Sequence, residues 1–481
     1  MMEIRRHETA LKRSNFSRPV RLAIEANLIN TERTVFDYGC GHGGDVERLT
    51  KIGVDCFGWD PIYQPHAEQR DADVVNLGYV VNVIEDPEER EQALKKAWSF
   101  THYVLIVSAR LDLETKGYNQ KQYGDGYVTQ KNTFQKYYLQ SELRDWINQV
   151  IEVESVAIAP GVFLAFRHEE DRQAFLASRQ QRQLRFSFPK QKLQSQFEQH
   201  QELLQPLTDF MSNKGRIPAG EEIDNVDNIC QVFGSLKRAG NIIRHTIGQE
   251  EWERIQQERS QDFLVYLALQ KFVGRPRFSM LPDDLKLDIK AFWRNYTQAC
   301  KEADEVLFST GDVNIIDLAC RKSPFGKLTP EALYIHTSGL SQMPPILRIY
   351  EGCAANYIGI VEEANIIKLH RKTSRISYLS YPDFDRNPHP ALTSSVLVDL
   401  QKLDVMYRDY SQSKNPPILH RKETFVPTEH PSREKFERLT RQEERWGLFD
   451  HATSIGTREK WQQLLNQKGV RLAGHRLMRQ K

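Results

Sequence analysis

Cysteine is scarce in this sequence. Its 481 residues hold six, at Cys40, Cys56, Cys230, Cys300, Cys320 and Cys353, and no Cys-x-x-Cys pair occurs. That spacing excludes a cysteine-built zinc site and a disulfide framework, and it fits a reducing cytoplasm. There is no run of about 18 apolar residues, so no membrane span is expected. The opening stretch, MMEIRRHETALKRSNF, is charged with no apolar core behind it, so it does not read as a secretory leader. An excess of one charge sign is also missing: the net charge is +2, which by itself selects no partner. Its distribution says more. Residues 1–168 carry 20 Lys/Arg against 24 Asp/Glu, whereas residues 411–481 carry 15 against 8. A basic C-terminal end suits phosphates or a solvated helical surface equally well.

What is present is a globular profile, 40% hydrophobic and 27% charged. At roughly 100–200 residues per domain, two to four domains are expected. Thr34-Val35-Phe36-Asp37-Tyr38 is an apolar run suited to a buried parallel strand. Gly39-Cys40-Gly41-His42-Gly43-Gly44 follows, then an amphipathic helix start, then a second strand ending on Asp60. A glycine turn between strand and helix lets a ligand approach the backbone, and an acid about 20 residues on can accept from ribose hydroxyls. The acid two residues before the first glycine makes the turn resemble the first motif of class I S-adenosylmethionine methyltransferases. The resemblance implies that Asp37, Gly39, Gly41, Gly43 and Asp60 hold S-adenosylmethionine.

A helix opening at Pro87, a strand over 102–108, a helix over 139–147 and two closing strands over 150–158 and 161–166 complete the pattern. Only twelve residues separate Asp60 from Asp73. That is too few for a helix and a strand, so one strand is expected to be missing or reduced to a stub, and the adenine contact stays unassigned.

Asn76-Leu77-Gly78-Tyr79 imitates the Asn-Pro-Pro-Tyr signature of enzymes that methylate a base amine. It stands three positions after Asp73 rather than about five, and it lacks both prolines. It therefore reads as the strand itself, with Tyr79 beside the cofactor and Asn82 shortly after. Tyr79, Asn82 and Arg110 are the candidate catalytic residues. The long polar segment 111–140 interleaves Tyr118, Tyr123, Tyr127, Tyr137 and Tyr138 with Lys116, Lys121, Lys131 and Lys136. Lys121, Tyr123, Tyr127 and Lys131 are candidates to stack bases and meet phosphates.

Residues 169–310 read as a basic linker and a helical region, and 311–481 as a mixed α+β, basic domain. There, Lys368, Arg371, Lys372, Arg375, Arg421 and Lys422 are candidate backbone-phosphate contacts. Asp383, Asp385, His389, His420 and Glu423 lack enforced ligand spacing, so no metal is expected. Asn415-Pro416-Pro417-Ile418 reads as a bend.

RHETALKRSNFSRPVRLAIE, VFDYGCGHGGDVERL, ADVVNLGYVVNVIEDPEER, GDGYVTQKNTFQKYY, RKSPFGKLTPEALYIH and ISYLSYPDFDRNPHPAL together resemble the DNA phosphorothioation-associated methyltransferases. The resemblance covers most of the chain. It implies cofactor binding by a Rossmann-like class I methyltransferase domain over 1–168 in an α/β protein and a DNA-modification or defence context, with DNA and other phosphorothioation proteins as expected partners. It does not itself supply the acceptor, for which DNA is the first expectation. Two alternatives stay open: a non-catalytic, cofactor-binding accessory protein, and a small-molecule methyltransferase.

Overall fold

The computed structural model describes residues 4–112, 121–182, 200–450 and 455–480. The chain divides into two compact units. One comprises Met1–Asp171, Phe325–Thr337 and Glu351–Lys481; the other comprises Arg172–Pro324 and Ser338–Tyr350.

In the first unit, four apolar segments form parallel strands: β1 (Val35–Tyr38), β2 (Cys56–Trp59), β3 (Ala72–Gly78) and β4 (Thr101–Ser108). All four residues of β1 are buried, as a strand covered on both faces requires. A small antiparallel meander follows, β5 (Lys121–Tyr123), β6 (Gly126–Val128) and β7 (Phe134–Gln135). β8 (Val156–Ala159) and β9 (Val162–Phe166) close the main sheet, whose order is β2-β1-β3-β4-β9-β8. β9 runs antiparallel to both its neighbours. This is the Rossmann-like class I arrangement, short of the strand that would lie outside β2. Chain length explains the omission. Between Asp60 and Ala72 the backbone makes only turns and a single bridge, Asp60 to Gln64.

Helices α1 (Arg18–Glu25), α2 (Gly44–Lys51), α3 (Pro87–Ser99) and α4 (Gln140–Ile151) accompany the sheet. α3 starts where Asp86 accepts a hydrogen bond from the Glu88 amide at 2.9 Å and Pro87 occupies the first turn. Both choices satisfy a helix start that leaves amides without partners. α4 buries Leu143 and Ile147 in a core shared with Leu77, Leu105, Tyr138 and Phe163.

The same unit contains a second, wholly antiparallel sheet in chain order: β10 (Lys327–Leu328), β11 (Ala332–His336), β12 (Ile366–His370), β13 (Arg375–Ser380), β14 (Ser394–Asp399) and β15 (Asp404–Asp409). The segment leading into β12 is seated on the closing hairpin of the first sheet. The Ile360 amide donates to Ile158 O at 2.9 Å, and Arg144 Nη2 donates to Asn356 O at 2.7 Å. Gly359, at φ +77°, makes this approach: a Cβ there would stand 2.4 Å from the Ala159 amide nitrogen.

The second unit is helical, with Gln201–Lys214, Val226–Phe233, Leu236–Ile247, Gln249–Leu269, Asp283–Phe292, Tyr296–Ser309 and Val313–Arg321 among its elements. Leu204, Leu207, Met211, Ile243, Trp252 and Ile255 are buried together, at spacings of three, four and seven where they share a helix. Asp262, 3% exposed, takes ion pairs from Arg182, Arg259 and Arg348 at 2.8, 3.3 and 2.6 Å.

Candidate functional site

The carboxyl ends of β1, β2 and β3 bring the candidate cofactor residues together. Gly39, Gly41 and Gly43 all have positive φ, at +88°, +54° and +73°. At Gly39 the requirement is absolute, because a Cβ would meet Val80 Cγ2 at 2.4 Å. Asp60 organises the turn from the end of β2. Its Oδ2 accepts from the Gly41 amide at 3.0 Å, and its Oδ1 from the amides of Ile62 and Tyr63 at 2.9 Å each. Ile62 is 59% exposed beside it, an apolar side chain next to a fixed carboxylate, where a purine ring would find a partner. Position in the chain gave no signal for this residue, since the missing strand removes the usual frame.

Asp37 lies at the end of β1, buried, and accepts from Asn76 Nδ2 at 2.8 Å. Burial pushes its carboxyl up to about 7, helped by the field of Asp45 and opposed by the Asn76 bond and by Arg13. Asn76 Oδ1 is buried with no hydrogen-bond partner. This pair fits a cationic group: one carboxylate held in an unfavourable environment, and one acceptor oxygen without a donor. Together with the glycine turn and Asp60, the residues present fit the methionine and ribose ends of S-adenosylmethionine.

β3 ends at Gly78, so Asn76-Leu77-Gly78 is strand and Tyr79 is the first residue beyond it. Tyr79 sits at φ +61°, a strained conformation for a bulky residue, and its amide donates to Ser108 O at 3.0 Å and Ser108 Oγ at 3.1 Å. The turn aims the ring into a cavity of about 1770 Å³. One side of that cavity is the start of α1 with Tyr79, Leu111, Asp112 and the head of α4; the other is Tyr357–Glu363 and strands β14 and β15, with Tyr407 and Tyr410. Arg18 Nε donates to Glu362 at 2.5 Å across this space, and Arg21 pairs with the same carboxylate. The far wall comes from residues remote in sequence, and nothing local marked them.

The other two catalytic candidates fare differently. Asn82 is 1% exposed and does not line the cavity. Its carbonyl accepts from the Lys136 amide at 2.8 Å and from Gln135 Nε2 at 3.1 Å, and its Oδ1 is buried without a hydrogen-bond partner, so it sits in the core behind the cavity and its place as a catalytic candidate is corrected. Arg110 follows β4, and its carbonyl accepts from the Tyr138 amide; the next two residues, not Arg110, line the cavity.

Within 111–140, residues 113–120 lie outside the described residues, Lys116 and Tyr118 among them. Lys121, Tyr123, Tyr127 and Lys131 are exposed on and around the meander. Tyr138 is 1% exposed and belongs to the core, with the Lys136 ammonium 4.6 Å from its ring centre.

The basic candidates of the C-terminal sheet are engaged within the protein. Arg371 is 6% exposed and donates to Thr329 O. Lys422 is 2% exposed, donates to Phe384 O and Asn387 O at 2.5 and 2.6 Å, and is pushed down to about 7 by burial. Both are off the surface that a phosphate would need, which corrects that expectation. Lys372, Arg375 and Arg421 pair with Glu331, Asp399 and Glu444 at 2.8, 2.9 and 2.9 Å. Lys368 is half-buried on β12 beside the Tyr334 ring.

His389 and His420 are both buried, with ring centres 4.6 Å apart and planes tilted by 47°. His389 Nδ1 meets Leu419 O at 2.9 Å and its Nε2 meets Glu443 Oε1 at 2.7 Å, while Glu423 accepts from Thr440 at 2.8 Å. Among the described residues no group of three or more His, Cys, Asp or Glu is arranged to hold a metal, and no helix is long and apolar enough to cross a membrane.

No protein-family model and no curated protein matches the chain. Solved structures do match part of it. One is 1,6-didemethyltoxoflavin-N1-methyltransferase from Burkholderia thailandensis, 11% identical over 31% of this chain and 79% of that one, with a TM-score of 0.24. Another is a sugar N-methyltransferase from Streptoalloteichus, 13% identical over 33% of this chain and 98% of that one, TM-score 0.25. A third is magnesium protoporphyrin IX methyltransferase from Synechocystis, solved with S-adenosylmethionine, 15% identical over 31% and 76%, TM-score 0.22.

Proposed function

We propose that this chain is an S-adenosylmethionine-dependent methyltransferase whose acceptor enters the cavity beside Tyr79. The observation that carries the reading is the Asp60 carboxylate. It is fixed by three backbone amides at the end of β2 and closes a glycine turn that no residue with a Cβ could make at Gly39. The cofactor would supply an activated methyl on a sulfonium, so the protein's task is alignment more than bond chemistry. In this reading Asp60 receives the ribose hydroxyls, Asp37 and Asn76 face the ammonium, and the Tyr79 ring borders the reacting methyl.

We assign DNA as the acceptor and phosphorothioation as the context, both on the strength of the sequence motifs, with exposed Lys121 and Lys131 as the phosphate contacts. A small-molecule acceptor is the second reading. It is favoured by the pairing or burial of five basic side chains that a DNA-binding sheet would expose, from Arg371 to Lys422.

Calorimetry with S-adenosylmethionine on the wild type and on Asp60→Ala tests the cofactor: binding is expected in the first and a loss of about 100-fold or more in the second. Absence of heat with the wild type would end the reading. Incubation with labelled cofactor and DNA, with and without phosphorothioate, followed by nucleoside mass spectrometry, separates the two acceptors. Label confined to a metabolite extract would favour the small molecule.

A further inference from the structure

The N-terminal segment 4–16 runs as a strap over the glycine turn. Arg6 pins one end, with Nε 2.6 Å from Glu85 and Nη1 2.5 Å from Glu89. The Arg5 amide donates to Asn132 O at 2.8 Å. In the middle, a Cβ on Gly41 would stand 3.2 Å from Ala10 Cβ, so the strap passes directly above the turn. At the far end Arg48 Nη2 donates to the carbonyls of Arg13 and Asn15 at 2.9 and 2.8 Å, and the Ser17 amide donates to Asp45 at 2.9 Å. The backbone of Arg13 is thus held in place from beneath. Its side chain is exposed, with the guanidinium carbon 5.9 Å from the centre of the Tyr79 ring. Among the described residues that guanidinium makes no hydrogen bond and no ion pair.

The local charge balance calls for a cation there. Asp37, Asp45 and Asp60 face the turn, and Asp45 and Glu47 stand in the first turn of α2, where they oppose the attraction of the helix start for an anion. The second arginine nearby, Arg48, is committed to Gly44 O at 2.5 Å and to the two strap carbonyls. A zwitterionic amino-acid end brings one group of each sign. Its ammonium is matched by Asp37 and the unpartnered Asn76 oxygen; its carboxylate would meet three acids, and among the described residues Arg13 is the unpaired cation whose field reaches Asp37.

We infer that Arg13, presented by the strap, binds the α-carboxylate of the cofactor's amino-acid end and makes the strap part of the binding site. This assignment rests on the cofactor reading above. The strap then closes over the amino-acid end of the nucleoside, with the sulfonium directed past Tyr79 toward the cavity.

Two ligands that differ in that end give the test: S-adenosylhomocysteine, which has the amino acid, and 5′-methylthioadenosine, which lacks it. Their binding is measured by calorimetry on the wild type, Arg13→Ala and Arg13→Lys. Arg13→Ala is expected to weaken S-adenosylhomocysteine roughly tenfold or more, the scale of a charge-assisted hydrogen bond, and to leave 5′-methylthioadenosine within about twofold. Arg13→Lys is expected to restore part of the loss. Equal losses for both ligands would make Arg13 a support for the strap only and overturn the assignment; unchanged S-adenosylhomocysteine binding would overturn it too. If the wild type binds neither ligand, the cofactor reading itself falls. Arg13 is exposed, so both variants should match the wild-type melting temperature, which is checked alongside.

Discussion

Two places in the first unit bury a carboxyl group at a cost. Asp37 lies under the glycine turn, raised to about 7 by burial, and Glu443 lies against His389, raised to about 8 by burial. Their surroundings differ. Around Glu443 the rings of His389, His420 and Trp461 pack at 4.5–4.6 Å and Lys422 is tied to two carbonyls. His389 faces acceptors on both ring nitrogens, Leu419 O and Glu443 Oε1. One neutral imidazole has a single N–H, so the pair holds a second proton, and the direction of both shifts places it on the carboxyl. Both places leave buried polar atoms without a partner, Glu443 Oε2 and His420 Nδ1 in one and Asn76 Oδ1 in the other, but beside Asp37 the neighbouring tyrosine opens onto a cavity. Buried polarity alone does not mark a site. Buried polarity that borders an open space does.

That contrast can be broken or sharpened by substitution. The largest effect is expected from Glu443→Ala, which leaves His389 without its partner in a closed core: roughly 3 kcal/mol less stability by denaturant titration, with cofactor affinity unchanged. A loss of affinity instead would make the cluster part of the site.

Asp37→Asn should do the reverse. The folded carboxyl is raised above its value of 3.8 in the unfolded chain, so its contribution to stability is complete below pH 4 and is lost as pH rises through about 7. The amide removes that loss. The cofactor-free protein should gain roughly 1–3 kcal/mol at pH 8 while binding S-adenosylmethionine more weakly. In the wild type the affinity should tighten between pH 6 and 8, as Asp37 ionises to meet a cation, and stay flat in the variant. A variant less stable at pH 8 counts against this account.

Glu443→Gln should change less. Its amide can donate to His389 as the carboxyl proton does, so stability near pH 5 is retained. The wild type loses stability as pH rises from 4.5 through about 8, and the variant should not. Parallel pH profiles for the two proteins would place the proton elsewhere. The smallest effect is expected on DNA. Reversing Lys121 and Lys131 to Glu should lower the slope of log affinity against log salt by about 2, and an unchanged slope removes the meander from the interface.

Legibility followed the range of the interactions. Asp37, the glycines and Asp60 were readable because strand, turn and helix are contiguous and their backbone requirements are local. The missing edge strand was readable from the length between Asp60 and Asp73. Asn82 was misread because its neighbours in space, Gln135 and Lys136, come from a later segment that buries it. Arg371 and Lys422 were misread for the same reason: composition counts a charge without knowing whether a carbonyl already holds it.

By itself, then, the sequence determined the parallel strands, the turn that only glycine can make, and the acid that closes it, since these depend on hydrogen bonds and sterics between residues near one another in the chain. The tertiary structure decided which polar groups are spent and which are left open. It brought Tyr407 and Tyr410 opposite Tyr79, laid Arg13 over the glycine turn, and sealed His389 with Glu443, because desolvation and cavity walls depend on segments that meet only after the whole unit has folded.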